Sequence, residues 1–210
     1  MRKPAESAIL SRRHWIFDMD GTLTVAVHDF EAIRRDLGLP EGAEILETLA
    51  AMPEPRSRPL HQRLDVIESG LTLLARPSTG AALLLERLAA HRIQVGIVTR
   101  NRVVHAWETL RVAGLQRFFR REWIVGRDEA PPKPDPRGVR ALLERWQSSA
   151  ADSLIIGDYL FDLQAGRAAG TATVYVDESG EFPHREHADL CVRALSDLRD
   201  SLEPTVGARP

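Results

Sequence analysis

Five short apolar runs recur along the chain with longer segments between them, and this alternation limits the possible fold more than any other feature. They are Trp15-Ile16-Phe17, Val95-Gly96-Ile97-Val98, Trp123-Ile124-Val125, Leu154-Ile155-Ile156 and Thr173-Val174-Tyr175-Val176. Apolar residues on consecutive positions suit strands covered on both faces. Helical periodicity fills most of the intervals, at about 79–90 (Leu83, Leu84, Leu88), 103–113 (Val104, Trp107, Leu110), 136–147 (Val139, Leu142, Leu143, Trp146) and 160–169. Strands alternating with helices of this length predict βαβ units, and hence an α/β fold with a doubly wound parallel sheet.

One interval breaks the rhythm. From about 25 to 76 the chain carries only helical signals, at Phe30 to Leu37, Ala43 to Ala51 and Leu60 to Leu74. Gly38-Leu39-Pro40 and Met52-Pro53-Glu54-Pro55 separate them. A parallel crossover needs about a dozen residues including its helix. The surplus predicts a small all-helical insert after the first strand. The expected organisation is therefore an α/β core at 1–24 and 77–203, an insert at 25–76 and a tail at 204–210.

Composition narrows the function classes. With 43% apolar and 28% charged residues the chain reads as globular, and a net charge of −2 gives no reason to expect nucleic acid or an anionic membrane as partner. No stretch approaches the roughly 18 apolar residues of a membrane span, and Ala8-Ile9-Leu10 is too short for a signal-peptide core. The single cysteine, Cys191, excludes an intramolecular disulfide and fits a reducing compartment, so a cytoplasmic location is expected. In its setting Cys191 reads as a small hydrophobe on a buried strand. Of 28 basic residues only Lys3 and Lys133 are lysine, which draws attention to the internal one.

In open α/β sheets ligands bind at the carboxyl ends of strands. The first run ends in Asp18-Met19-Asp20-Gly21-Thr22, the second in Thr99-Arg100-Asn101, and the fourth in Gly157-Asp158 with Asp162 four residues on. Pro131-Pro132-Lys133-Pro134 lies between the last two. Four carboxylates, a hydroxyl and an ammonium are thus expected around one point. Like charges sharing a site raise carboxyl pKa values sharply, and a hard divalent ion such as Mg2+ relieves this, with one or two carboxylates and a substrate phosphate as ligands. Lys133 then supplies a point charge, and Thr99 a hydrogen bond, to a phosphate oxygen. Gly21 lets the backbone approach the phosphate, and Thr22, Arg100 and Asn101 are further candidates to contact it. On a strand, residues 18 and 20 point to the same side, so one carboxylate can attack phosphorus while the other handles the leaving-group proton.

With these motifs in this order, the chain resembles the haloacid dehalogenase-like hydrolase superfamily over essentially its whole length. Asp18-Met19-Asp20-Gly21-Thr22-Leu23-Thr24 matches the first motif of that family, Thr99 the second, Lys133 the third and Gly157-Asp158-Tyr159-Leu160-Phe161-Asp162 the fourth. The resemblance implies a Rossmann-like core, Asp18 as nucleophile, Asp20 as acid/base, and Mg2+ held by Asp18, Asp158, Asp162 and the Asp20 backbone carbonyl. An insert between the first and second motifs resembles the helical cap of the phosphoglycolate-phosphatase-like and phosphomutase-like members. The 34 positions from Thr99 to Lys133 leave no room for the larger alternative cap. The implied activity is hydrolysis of a small phosphorylated metabolite through an aspartyl-phosphate.

Competing readings differ in specific residues. A dehalogenase has no use for an acid/base at position 20 or for a metal. A phosphomutase shares the same core and separates only by its product. A receiver-like signalling domain is about 120 residues and places its acidic pair ahead of the phosphorylated aspartate, the reverse of the order here. A catalytically silent binding protein requires one of the motif residues to be displaced. Elsewhere, His184 and His187, Arg117, Arg120 and Arg121, and the insert's Arg56, Arg58, His61 and Arg63 are expected on solvated surfaces.

Overall fold

The computed structural model describes residues 4–199 and 202; the expected tail lies outside them. His14–Phe17 forms β1, and five further strands join it: β2 (Gln94–Val98), β3 (Ile124–Val125), β4 (Ser153–Gly157), β5 (Ala172–Val176) and β6 (Leu190–Val192). They make one parallel sheet in the order β3-β2-β1-β4-β5-β6. The burial explains the apolar runs. Trp15, Phe17, Ile97 and Ile156 pack into a cluster on one face with Leu84, Leu88, Ala106 and Leu110. Ile16, Val98 and Ile155 pack into another with Val139, Leu142, Leu143 and Trp146. Successive side chains point to opposite faces, so a sheet covered on both sides needs apolar residues at every position.

The helices covering it are α5 (Ala81–Ala90), α6 (Val103–Val112), α7 (Arg137–Trp146) and α8 (Leu160–Ala169), at the expected places. Two short helices carried no strong periodic signal. These are α1 (Pro4–Leu10), which sends Leu10 into the core, and α9 (Leu195–Arg199), which sends in Leu195 and Leu198. Cys191 sits on β6 as expected but is only partly buried, because that strand lies at the sheet edge.

Between β1 and β2 lie α2 (Phe30–Asp36), α3 (Ile45–Ala50) and α4 (Glu54–Thr72). They share a cluster of their own, of Ile33, Leu37, Leu39, Ile45, Leu49 and Leu64. The chain enters and leaves this segment through paired backbone, with Val25 N donating to Arg76 O and Ser78 N to Leu23 O, both at 3.0 Å. The third helix begins at Glu54 rather than near Leu60. Pro55, in its first turn, loses no intrahelical bond, since the N–H groups there have no helical partner in any case, whereas Pro59 lies inside the helix and leaves one such bond unmade.

The sheet order changes direction between β1 and β4, which is where such folds bind ligands. Phe17 is level with Ile97 and with Ile156, so the residues after β1, β2 and β4 emerge side by side.

Candidate active site

Strand alternation stops at Phe17, so the Asp-x-Asp pair is not placed by a strand as the sequence suggested. A tight turn does the work instead. Gly21 N donates to Thr24 O at 2.8 Å and Thr24 N to Met19 O at 2.9 Å. Gly21 has φ +90°, and a Cβ there would lie 2.1 Å from Asp158 Oδ2. Only glycine combines that backbone conformation with that approach. The turn brings Thr22 Oγ1 to 2.9 Å from Asp158 Oδ1, to which it donates.

Asp18 follows β1 directly, its N–H donating to Ile156 O at 2.8 Å. Its carboxylate meets those of Asp158 and Asp162, with one oxygen from each within 4.8 Å of the others. Lys133 reaches this group from the loop before α7. Its ammonium donates to Asp18 Oδ1 and to Val98 O (2.6 Å), and pairs with Asp162 Oδ1 at 2.6 Å, while the residue is 2% exposed. Asp162 also accepts from Tyr159 N at 3.1 Å, and Gly157 leaves the space into which Asp162 packs. Asp20 lines the same cleft, 3.9 Å from His28 and outside the close group of the other three carboxylates, though near enough to Asp18 to feel its charge.

The electrostatics follow from burial and crowding. Burial first, then Asp18 and Asp162, pushes the Asp158 carboxyl up to about 8. Burial raises Asp162 to about 6 against the pull of Lys133, and raises Asp20 to about 6 against the pull of His28. Burial disfavours the Lys133 charge, but Asp162 and Asp18 outweigh it and hold the ammonium protonated above its ordinary range. One cation therefore does not neutralise this group. A carboxylate held protonated until about pH 8, in an all-oxygen donor set, fits a hard divalent ion as the missing charge.

Thr99 is buried, its Oγ1 accepting from Asn101 N at 3.0 Å. Asn101 Oδ1 accepts from Arg102 N at 2.9 Å, and the residue also lines the cleft. Arg100 borders the cleft, yet its donors go to Lys133 O (2.6 Å) and to Glu47 of α3 (2.9 Å), and its guanidinium stacks 4.7 Å from the Phe161 ring centroid. Three arginine links thus tie the core to the helical segment, with Arg127 bidentate to Glu68 (2.6 and 2.7 Å) and Arg102 to Asp65 (2.8 Å) completing the set. The whole site opens into a cleft of about 390 Å³ between the sheet and α2–α4.

Arg56, Arg58, His61 and Arg63 lie outside the cleft lining; Arg63 pairs with Asp36 at 2.6 Å. Arg117 and Arg120 lie over Phe118 and Trp123 at the surface. His184 packs against Tyr159 and Tyr175, and neither it nor His187 belongs to a metal-binding group among the described residues. Sequence reasoning missed His28, Arg127 and Glu68. No spacing marks the first two. Glu68 carried a signal, since it falls between Leu64 and Leu71 on the apolar face of α4, where a charge requires a partner.

No helix among the described residues is long and apolar enough to cross a membrane. Residues 40–176 match the family described as haloacid dehalogenase-like hydrolase. That stretch holds Thr99, Lys133, Asp158 and Asp162 and begins after the Asp18 turn. Other similarities cover more of the chain. The N-acetylmuramic acid 6-phosphate phosphatase of Pseudomonas aeruginosa is 30% identical, covering 90% of this chain and 93% of its own. The phosphoglycolate phosphatase of Pseudomonas syringae pv. syringae is 30% identical over 76% of this chain and 67% of its own. Among solved structures, a hydrolase from Pseudomonas syringae superposes with a TM-score of 0.74 at 23% identity, covering 91% of this chain and 98% of its own. The chain belongs to the haloacid dehalogenase-like hydrolase family, on its phosphoglycolate-phosphatase-like side.

Proposed function

We propose that the protein hydrolyses phosphate monoesters of small metabolites through an aspartyl-phosphate on Asp18, with Mg2+ as cofactor and residues 25–76 as a cap over the site. The observation that carries this reading is the Asp18–Lys133–Asp162 arrangement beside Asp158, at the sheet's change of direction. Asp18, Asp158 and the Asp20 carbonyl would hold the ion, which when bound neutralises the carboxylates and the charge of the phosphoryl group. Asp162 has one oxygen on Lys133 and the other on Tyr159 N, which suits it to fixing the ammonium and to a water-mediated contact with the metal.

In the first step an Asp18 oxygen forms a bond to phosphorus while the bond to the leaving oxygen breaks, and Asp20 gives its proton to that oxygen. In the second, Asp20 takes a proton from water as the water oxygen attacks phosphorus. The Asp18–phosphorus bond breaks, releasing inorganic phosphate, and Asp20 is again protonated. A carboxyl near pKa 6 suits both halves, since an acid/base works best close to the operating pH. Lys133 and the Thr99 hydroxyl support the phosphoryl oxygens, and Thr22 orients Asp158. Location in the cytoplasm belongs to the same proposal.

The test is phosphate release from an aryl phosphate with Mg2+, for the parent protein and Asp18→Asn. Release that stops on substitution supports the reading, and substantial activity in freshly prepared Asp18→Asn would contradict it. Incubation with a phosphorylated sugar separates hydrolysis from isomerisation, free phosphate being the expected product.

A further inference from the structure

The cleft extends well beyond the space beside Asp18. Besides the carboxylates its lining holds Phe30, Ile33, Ile45, Leu46, Leu64 and Phe161, which are apolar. Three arginines, Arg34, Arg100 and Arg127, border the same region and could give it a positive character. Each has a carboxylate partner, and of Arg34 only Nε is left buried without a hydrogen-bond partner. Arg34 pairs with Glu31 at 2.6 Å and donates to Ala43 O at 3.1 Å. Arg100 pairs with Glu47 at 2.9 Å and lies 3.7 Å from Glu44. Arg127 is bidentate to Glu68. Three guanidinium groups therefore face four carboxylates, and Glu44 and Glu68 themselves line the cleft. Lys133 is committed to Asp18 and Asp162.

From this we infer that the leaving-group end of the cleft selects an uncharged, ring-sized leaving group and disfavours an acidic one. The inference rests on the phosphatase reading and names its substrate class. A second anionic group entering this space would meet guanidinium groups that each already pair with a carboxylate, and would lose water against apolar walls without a compensating charge. A neutral ring would bury apolar surface there. The cleft of about 390 Å³ also lies within the range of roughly 300–1,000 Å³ of sites that enclose drug-sized ligands. It is larger than a two-carbon acid requires, so preference should depart from the compound named in the phosphoglycolate phosphatases that this chain is similar to.

The test compares 4-carbamoylphenyl phosphate with 4-carboxyphenyl phosphate, which differ only in an amide for a carboxylate. Both are measured by kcat/KM with the parent enzyme and by equilibrium binding, with Mg2+, to Asp18→Asn, which lacks the nucleophile. The amide should bind and turn over about tenfold better, the scale of one unfavourable charge contact near a protein surface. It should also exceed phosphoglycolate in kcat/KM. Glu31→Gln, which leaves Arg34 without its carboxylate, should narrow the gap about 2–5-fold, the worth of a partly exposed ion pair. Equal or tighter binding of the carboxylate overturns the inference, as does binding of neither compound or a gap that Glu31→Gln leaves unchanged. If the amide binds tighter but no phosphate is released, the charge selectivity stands and the hydrolytic reading falls. If both are hydrolysed with the carboxylate preferred, hydrolysis stands and the selectivity falls.

Discussion

Replacing Lys133 with methionine keeps the unbranched stem but not the terminal ammonium, removing the charge from a position 2% exposed. The ammonium's bonds to Asp18, Asp162 and Val98 O are lost, and three clustered carboxylates remain with no internal cation. Breaking a buried ion pair from one side costs about 3–5 kcal/mol. At about 2–4 °C per kcal/mol for a chain of this size, the Tm should fall by about 10 °C. The sign with pH follows from the carboxylates. Lys133 has a raised folded pKa, so its contribution is fully present below its unfolded value of about 10.4 and does not vary between pH 5 and 8. Asp162 at about 6 and Asp158 at about 8 are already raised, and loss of the ammonium raises them further. A carboxyl with a raised folded pKa favours the fold below its unfolded value, near 4, and loses that contribution as pH rises through the folded value. The deficit should therefore be smallest near pH 5 and largest at pH 8. Thermal unfolding of both proteins in chelator at the two pH values measures it. A difference below about 2 °C at pH 8, or a larger one at pH 5, would refute the argument.

Three further outcomes are expected. Asp20→Asn should lower kcat/KM for an alkyl phosphate by about 10²–10⁴-fold, and by much less for 4-nitrophenyl phosphate, whose leaving group departs without a proton; equal losses would remove Asp20 from the acid role. Because Asp158 keeps its proton until about pH 8, Mg2+ must displace it, and apparent affinity should rise by up to about tenfold per pH unit from 6 to 8 with proton release seen by calorimetry. A flat profile would contradict that assignment. Arg127→Met leaves Glu68 buried and unpaired between core and helical segment, and should cost about 2–5 kcal/mol in denaturant unfolding; a change within about 0.5 kcal/mol would mean that the link contributes little.

The central strands were legible because a sheet buried on both faces forces apolar residues onto every position, as at Trp15-Ile16-Phe17. The helical segment was legible as an excess of helical signal between two such strands. α1 and α9 were not, being 7 and 5 residues long and thus too short to show a period. Asp18, Lys133, Asp158 and Asp162 could be proposed as neighbours because strand ends converge at the change of direction in the sheet. The placement of Asp20 could not be read, since it depends on a turn whose φ at Gly21 sequence patterning does not encode. Long-range pairs such as Arg127–Glu68, 59 positions apart, leave no periodic trace, and Arg100 turns away from the phosphoryl position towards Glu47 for the same kind of reason.

The covalent role of Asp18 is tested most directly in Asp20→Asn, where loss of the base that activates water should leave the aspartyl-phosphate long-lived. With 4-nitrophenyl phosphate and Mg2+, the account expects a burst of one nitrophenolate per chain. Acid-quenched mass spectrometry should find one phosphoryl group on the peptide carrying Asp18, absent when Asp18 is also changed to asparagine. Steady turnover with no phosphoryl group on Asp18, or a group found on another residue, would contradict it.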